Sequence, residues 1–300
     1  MWISELALAQ FLAVLTAFGF ASGDTSARFA LRTSTPITAT LTVSCVTLVM
    51  YGPFALTSAS LSSLSLSGAA VFLAAGVSAP GLARTFLYMS FNRIGMSRST
   101  AFISISPLVT VFLAIVALGE RPTPLVYLGT LLIVGGVLIL TVEQKSAGER
   151  EGRGKTVWYF FVYAMLAMLT LGIASFLRKV GVALIPSLSV GLCLSAVGTL
   201  AVTVFWNFLL PSGDRIRFTR QSALPFLLSG IFTSLAHLAF FSALQRASLS
   251  TVAPLVFTVP LFALGFSWLL FREVERMNAR LLAGVVLICG GAVLVTMARG

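Results

Sequence analysis

The chain has 300 residues, 58% hydrophobic and 10% charged, with a net charge of +11 and a mean hydropathy of +1.00. A soluble domain carries about 25% charged residues, so a globule wetted on every side is excluded. Nearly all Lys and Arg stand at the ends of apolar stretches, as topology determinants and interface anchors, and they form no basic block that would point to a nucleic-acid partner.

Apolar stretches of about 20 residues match the hydrocarbon thickness of a bilayer. They predict spans at 4–24, 36–56, 68–91, 98–118 and 124–142, then at 157–177, 186–209, 221–244, 250–271 and 279–297. The runs are continuous, not alternating, which argues against strands. No basic region precedes the first stretch and Glu5 stands near its start, so it reads as a retained helix and not a cleaved leader. Pro36, Pro124 and Pro186 open spans at the first turn, where a missing N–H costs nothing. Pro80-Gly81 interrupts the third span one turn before Arg84, and a proline there frees backbone carbonyls. The most polar stretch, 143–155, divides the chain into units at 4–142 and 156–297. Cys45, Cys193 and Cys289 lie in three different apolar stretches without ligand spacing, and there is one histidine. No metal site or cofactor is expected.

The two units match at an offset of 153 residues. Ala83 falls on Ala236, Arg93 on Arg246, Ser97 on Ser250, Pro107 on Pro260 and Glu120 on Glu273; Gly19 and Ser22 fall on Gly172 and Ser175. Five spans per unit is an odd number, so two copies enter the membrane in opposite directions. The expected fold is an all-α integral membrane protein of ten helices in two inverted five-helix repeats, a layout common in secondary transporters.

Arg84 is an arginine inside a span, where insertion costs about 2.5–3.5 kcal/mol unless a partner or a water-filled cavity receives the charge. Its counterpart at the offset is His237. Tyr88 and Phe241 follow four residues on, and Asn92 and Gln245 four further, so each trio keeps to one helix face. One reading is a cavity lined by two related faces, with Arg84 holding an anionic group and His237 binding substrate or a proton. Tyr88, Phe241 and Trp268 would then pack on the apolar part. The structural alternative is an Arg84 that snorkels to the interface and a His237 that bonds a neighbouring carbonyl. Asp24 closes the first span with Arg28 four residues on, a spacing that suits an end-of-helix ion pair; its other reading is a proton carrier. Glu120 and Glu273 stand between consecutive spans, where a carboxylate caps the N–H groups of the next helix. Pro80, Gly81, Pro107 and Pro260 kink or gate their spans. The pairs Gly135-Gly136 and Gly290-Gly291 allow close helix contact.

Several of these features together resemble the drug/metabolite transporter superfamily, and its ten-helix EamA-type members in particular. They are an aromatic helix with a polar end (Tyr88 to Arg93; Phe241 to Arg246), a proline-bearing small-residue helix (Pro107; Pro260), a Glu at the next turn (Glu120; Glu273) and a final helix with paired glycines. The second copy departs from the pattern with Arg272, not glycine, before Glu273. The resemblance covers nearly the whole chain and implies a secondary transporter of a small metabolite, often an exporter, not an enzyme. HExxH, GxSxG and Walker A motifs are all missing from the sequence. A flippase for a lipid headgroup is the alternative on the same fold. The expected partners are a small substrate bearing a carboxylate or phosphate, membrane lipids and protons, in a monomer or homodimer of a bacterial inner membrane. The positive-inside bias favours both termini outside the cytoplasm, whereas the resemblance implies both inside.

Overall fold

The computed structural model describes residues 2–57, 64–94, 96–144, 161–210, 212–267, 269 and 279–298. Among them there is no strand. The helices are α1 (Trp2–Ala30), α2 (Pro36–Ala55), α3 (Leu66–Gly76), α4 (Ala83–Ile94), α5 (Met96–Ile103), α6 (Ser106–Leu118) and α7 (Pro124–Gln144). They continue with α8 (Phe161–Leu184), α9 (Leu188–Leu209), α10 (Arg220–Arg246), α11 (Leu249–Val256), α12 (Val259–Phe266) and α13 (Ala279–Met297). Among the described residues, nine stretches are long and apolar enough to cross a membrane, and Leu282–Met297 is a shorter apolar helix. The protein is an integral membrane helix bundle. The predicted linker lies outside the described residues from 145 onward.

Three spans are broken or kinked, each beside a proline. In the third, Ala79 is extended at φ −148° and ψ 134° between α3 and α4. Pro80 has no N–H to give to the Gly76 carbonyl four residues back, and the Thr199 hydroxyl donates to that carbonyl instead, at 3.0 Å. In the fourth span, Pro107 lies in the first turn of α6; in the ninth, Pro260 lies in the first turn of α12. The third span is thus interrupted outright, whereas the fourth and ninth are kinked at positions that correspond at the offset: Ile105, Phe257 and Thr258 keep φ of −85°, −75° and −76°, and backbone bonds such as Ile105 N–H to the Phe102 carbonyl and Phe257 N–H to the Ala253 carbonyl run across the turns. A backbone interrupted at membrane depth is tolerated where it is buried in protein or lines a cavity.

Contacts between connections fix the two ends of the bundle. Gln10 donates to the Thr296 carbonyl at 3.1 Å, Glu5 pairs with Arg246 at 3.3 Å, and Gln245 donates to the Pro186 carbonyl at 2.7 Å. The end with both termini thus also holds the α8–α9 and α10–α11 turns. At the opposite end the Thr33 and Thr219 hydroxyls meet at 2.9 Å and Thr35 donates to the Arg215 carbonyl at 2.9 Å, joining the α1–α2 and α9–α10 connections. This is the parity that ten alternating spans require.

The principal packing partners are α1 with α10, α3 and α4 with α8, α2 with α9, and α7 with α13. Exchanging the first five spans for the last five leaves these pairings unchanged. Backbones touch along the α7–α13 seam: a Cβ on Gly136 would stand 2.6 Å from the Gly284 carbonyl oxygen, and one on Gly291 2.5 Å from that of Gly129. Gly135 and Gly290 face open space. Within each glycine pair one member makes the close contact.

Two predicted boundaries are too short. α1 runs to Ala30, so Asp24 lies inside its span instead of closing it, and α8 runs to Leu184, so Arg178 and Lys179 lie inside a span instead of on a connection. The reason is a set of partners remote in sequence. Arg178 donates to the Ala79 carbonyl at 2.5 Å, and Lys179 to the Leu244 and Ala247 carbonyls at 2.6 and 2.8 Å.

Candidate functional site: a charged cavity between the halves

A cavity of about 280 Å³ lies at the centre of the bundle, and every residue that lines it belongs to a span and none to an end connection. Its walls are mostly apolar: Phe20 on α1, Val43 on α2, Leu87 on α4, Phe240 on α10 and Phe257 at the α11–α12 kink. Four ionisable side chains reach it, Asp24, Arg84, Arg178 and His237. Each stands on a different span, and the break at Ala79-Pro80 and the kink at Phe257 border the same space.

Arg84 donates from Nη1 to the Thr40 hydroxyl at 3.2 Å. Arg178 is 5% exposed, and beyond its bond to the Ala79 carbonyl its Nε is a buried donor without a partner. Among the described residues neither arginine pairs with a carboxylate within 4 Å. Asp24 lines the cavity and its side chain is exposed. His237 Nδ1 lies 2.9 Å from the Thr233 carbonyl and its ring meets Phe20 edge-on at 4.9 Å. A carbonyl can only accept, so Nδ1 carries the proton and Nε2 of the neutral ring is left as an acceptor.

The other predicted site residues separate into groups. Pro80 lines the cavity, while Gly81 faces a neighbouring one. Phe241 is 0% exposed and stacks on Phe72 at 5.5 Å, in the core and outside the cavity lining, because the helix turn that aims His237 inward aims Phe241 at α3. Gln245 is at the end with the termini. Pro107 and Pro260 start half-helices. The side chains of Tyr88 and Asn92, and the whole of Trp268 and Glu273, lie outside the described residues.

Glu120 does not cap the helix that follows it in sequence. Its two carboxylate oxygens accept from the backbone N–H groups of Leu249 and Ser250, at 2.8 and 2.9 Å, at the start of α11 in the other half. Lys179 holds the last carbonyls of α10 only two residues before. The α10–α11 turn is thus clamped by a carboxylate on its N–H side and an ammonium on its carbonyl side, the arrangement that helix dipoles favour. The clamp lies at the end with the termini.

Arg178 is the site residue that sequence reasoning missed. A signal was present: Val180 to Ile185 is apolar and runs straight into Pro186, so the helix had no reason to stop at residue 177. Among the described residues no group of three or more His, Cys, Asp or Glu could hold a metal ion.

The model of the EamA-like transporter family matches residues 7–142 and again 158–297. No curated protein matches the chain. A solved crystal structure, titled only as that of a protein, aligns over 98% of this chain and 97% of its own, with a TM-score of 0.72 and 16% identity, a likeness of fold.

Proposed function

Since the chain belongs to the EamA-like transporter family, we propose that it is a secondary transporter that exports a small metabolite bearing both an anionic and a cationic group, an amino acid being the simplest case. The protein is a membrane transporter of the drug/metabolite superfamily with a small-molecule substrate; the charge of that substrate is argued from the cavity. The observation that carries it is the cavity's charge pattern. Two arginines stand in an apolar enclosure without a carboxylate partner, and each costs about 2.5–3.5 kcal/mol to place there on insertion scales. An anionic group on the cargo would accept charge-assisted bonds from Arg84 and from the unpartnered Nε of Arg178. Asp24 would receive an ammonium, and Phe20, Phe240 and Phe257 the apolar remainder. The volume is at the small end for a ligand site, which suits a metabolite. A broken and a kinked helix at the site and a clamp at one end of the bundle support rocking of the two halves about the cargo.

The test is ligand-induced thermal stabilisation of the purified protein across amino acids, carboxylates, sugar phosphates and amphipathic cations, followed by counterflow in proteoliposomes with any hit. A ligand at 100 times its Kd stabilises by about 2.7 kcal/mol. The expected hit is an ampholyte whose stabilisation disappears in Arg84→Ala and drops in Asp24→Asn. Equal stabilisation of parent and Arg84→Ala would make Arg84 a structural residue. A cationic hit reverses the substrate charge, and a hit confined to lipid headgroups favours flipping.

A further inference from the structure

A second cavity of about 210 Å³ adjoins the first, and the two share Arg84 and Thr40. From that shared wall it runs past Thr85 and Met89 of α4, with Ile37 of α2 also on its lining, to Leu210 and Asp214 at the α9–α10 connection. Asp214 is exposed, and so are Arg215, Arg217 and Arg220 beside it. The outer end therefore lies at the end of the bundle opposite the termini, with three cations to one carboxylate around it. The end with the termini is the one that the Glu120–Lys179 clamp ties together.

We propose that this second cavity is the vestibule through which the cargo reaches the central cavity, and that the Arg84–Thr40 pair is the gate between them. This rests on the transporter reading. Arg84 is placed to serve both sides, since one guanidinium forms part of both linings. Among the described residues it makes a single hydrogen bond, of 3.2 Å, to the Thr40 hydroxyl, a neutral acceptor that a carboxylate or phosphate on the cargo outcompetes, because hydrogen bonds to ionised groups are about twice as strong as neutral ones. An anion arriving in the vestibule would take the guanidinium from Thr40, and the freed side chain would carry it inward to Arg178. A cation meets repulsion at the same point. The gate thus admits by charge before the central cavity selects by shape, and the cationic outer rim concentrates anions at the mouth.

Cysteine accessibility in proteoliposomes tests this without knowledge of the cargo, so its failure is separate from failure of the transporter reading. The background replaces Cys45, Cys193 and Cys289, with the melting temperature of each variant as the control. Ile37→Cys reports the vestibule and Ser175→Cys the central cavity, which Ser175 lines. The probes are the sulfonatoethyl and trimethylammonioethyl methanethiosulfonates, anionic and cationic, added from one side at a time. Both cysteines should react from the same side. Ser175→Cys should react faster with the anionic probe by about tenfold, the low end of the factor by which local charge steers association. Arg84→Gln should abolish that preference at Ser175→Cys. Thr40→Val should speed labelling of Ser175→Cys and leave Ile37→Cys unchanged. Met89→Trp, which fills the vestibule from its wall, should slow labelling of Ser175→Cys with both probes. The proposal is overturned if Ser175→Cys reacts only from the other side, if Met89→Trp leaves its rate unchanged at an unaltered melting temperature, or if the charge preference survives Arg84→Gln.

Discussion

Replacing Arg178 with methionine separates a residue kept for function from one kept for structure. In the parent its guanidinium is 5% exposed, donates once at 2.5 Å to the Ala79 carbonyl and leaves Nε unpartnered. A charged hydrogen bond contributes about 1.5–3 kcal/mol. Against it stands the cost of a guanidinium inside the bundle, about 2.5–3.5 kcal/mol on insertion scales. The difference leaves the variant more stable by about 1 kcal/mol, since replacing a poorly compensated buried charge by an apolar group of similar volume is often neutral or stabilising. For a chain of 300 residues, whose unfolding entropy is larger than that of a shorter domain, that is a rise of about 2 °C in melting temperature. Ligand stabilisation and counterflow should fall together by tenfold or more, about 1.4 kcal/mol of cargo binding. The assays are a melting curve in detergent with and without the ligand, and counterflow at matched protein content. If Arg178→Met melts several degrees lower and still transports at the parental rate, the residue is a strut for the broken third span and the anion-site argument fails.

Removal of the Glu120 carboxylate strips two N–H groups at the start of α11 of their acceptor, so Glu120→Ala should cost about 2–3 kcal/mol, and Glu120→Gln, which keeps one oxygen, about half that; melting temperatures check both. Thr199→Val leaves the Gly76 carbonyl, which Pro80 has already deprived of its helical donor, without the Thr199 hydroxyl; a loss of about 1–2 kcal/mol is expected. Gly291→Ala forces a methyl group to 2.5 Å from the Gly129 carbonyl oxygen and should cost about 1–3 kcal/mol. Gly290→Ala meets open space and should be neutral or stabilising by up to about 1 kcal/mol; equal effects at the two glycines would show that the α7–α13 seam is not as close as described.

What could be read from the sequence follows from what is local. Among the described residues, hydropathy and prolines placed nine long apolar spans and the shorter helix Leu282–Met297, and the offset picked out Arg84 with His237 and Pro107 with Pro260 from the sequence alone. What could not be read depends on partners far along the chain. A hydropathy window stops at the first pair of charges, so α8 was cut short at residue 177. Its charges are tolerated because Ala79, Leu244 and Ala247 offer carbonyls at breaks and helix ends. Glu120 looked like a cap for the next helix because sequence shows only what comes next, whereas the bundle brings α11 closer than α7. A four-residue spacing put Phe241 on one face with His237, but fixed neither which neighbour that face meets nor that Phe72 would be there to stack.

The cavity's polarity arises where the two halves differ. Under the offset of 153, Arg84 corresponds to His237, but Asp24 corresponds to Leu177 and Arg178 to Thr25. The family model matches the chain twice, and α1 and α8, which stand early in the two matches, both line the cavity; one brings the carboxylate and the other a guanidinium. A site with two identical faces would hold a dipolar cargo equally well in either sense. With the carboxylate only on α1 and the arginines on α4 and α8, a zwitterion has one favourable sense, ammonium toward Asp24 and anion toward Arg84 and Arg178. The swapped pair Asp24→Arg with Arg178→Asp reverses that dipole while keeping its total charge. It should bind worse than the parent, because Arg84 then faces a second arginine at Asp24's position and cannot follow the reversal. If the swap binds the same ligand as tightly as the parent, the orientation argument is wrong and the cavity reads only net charge.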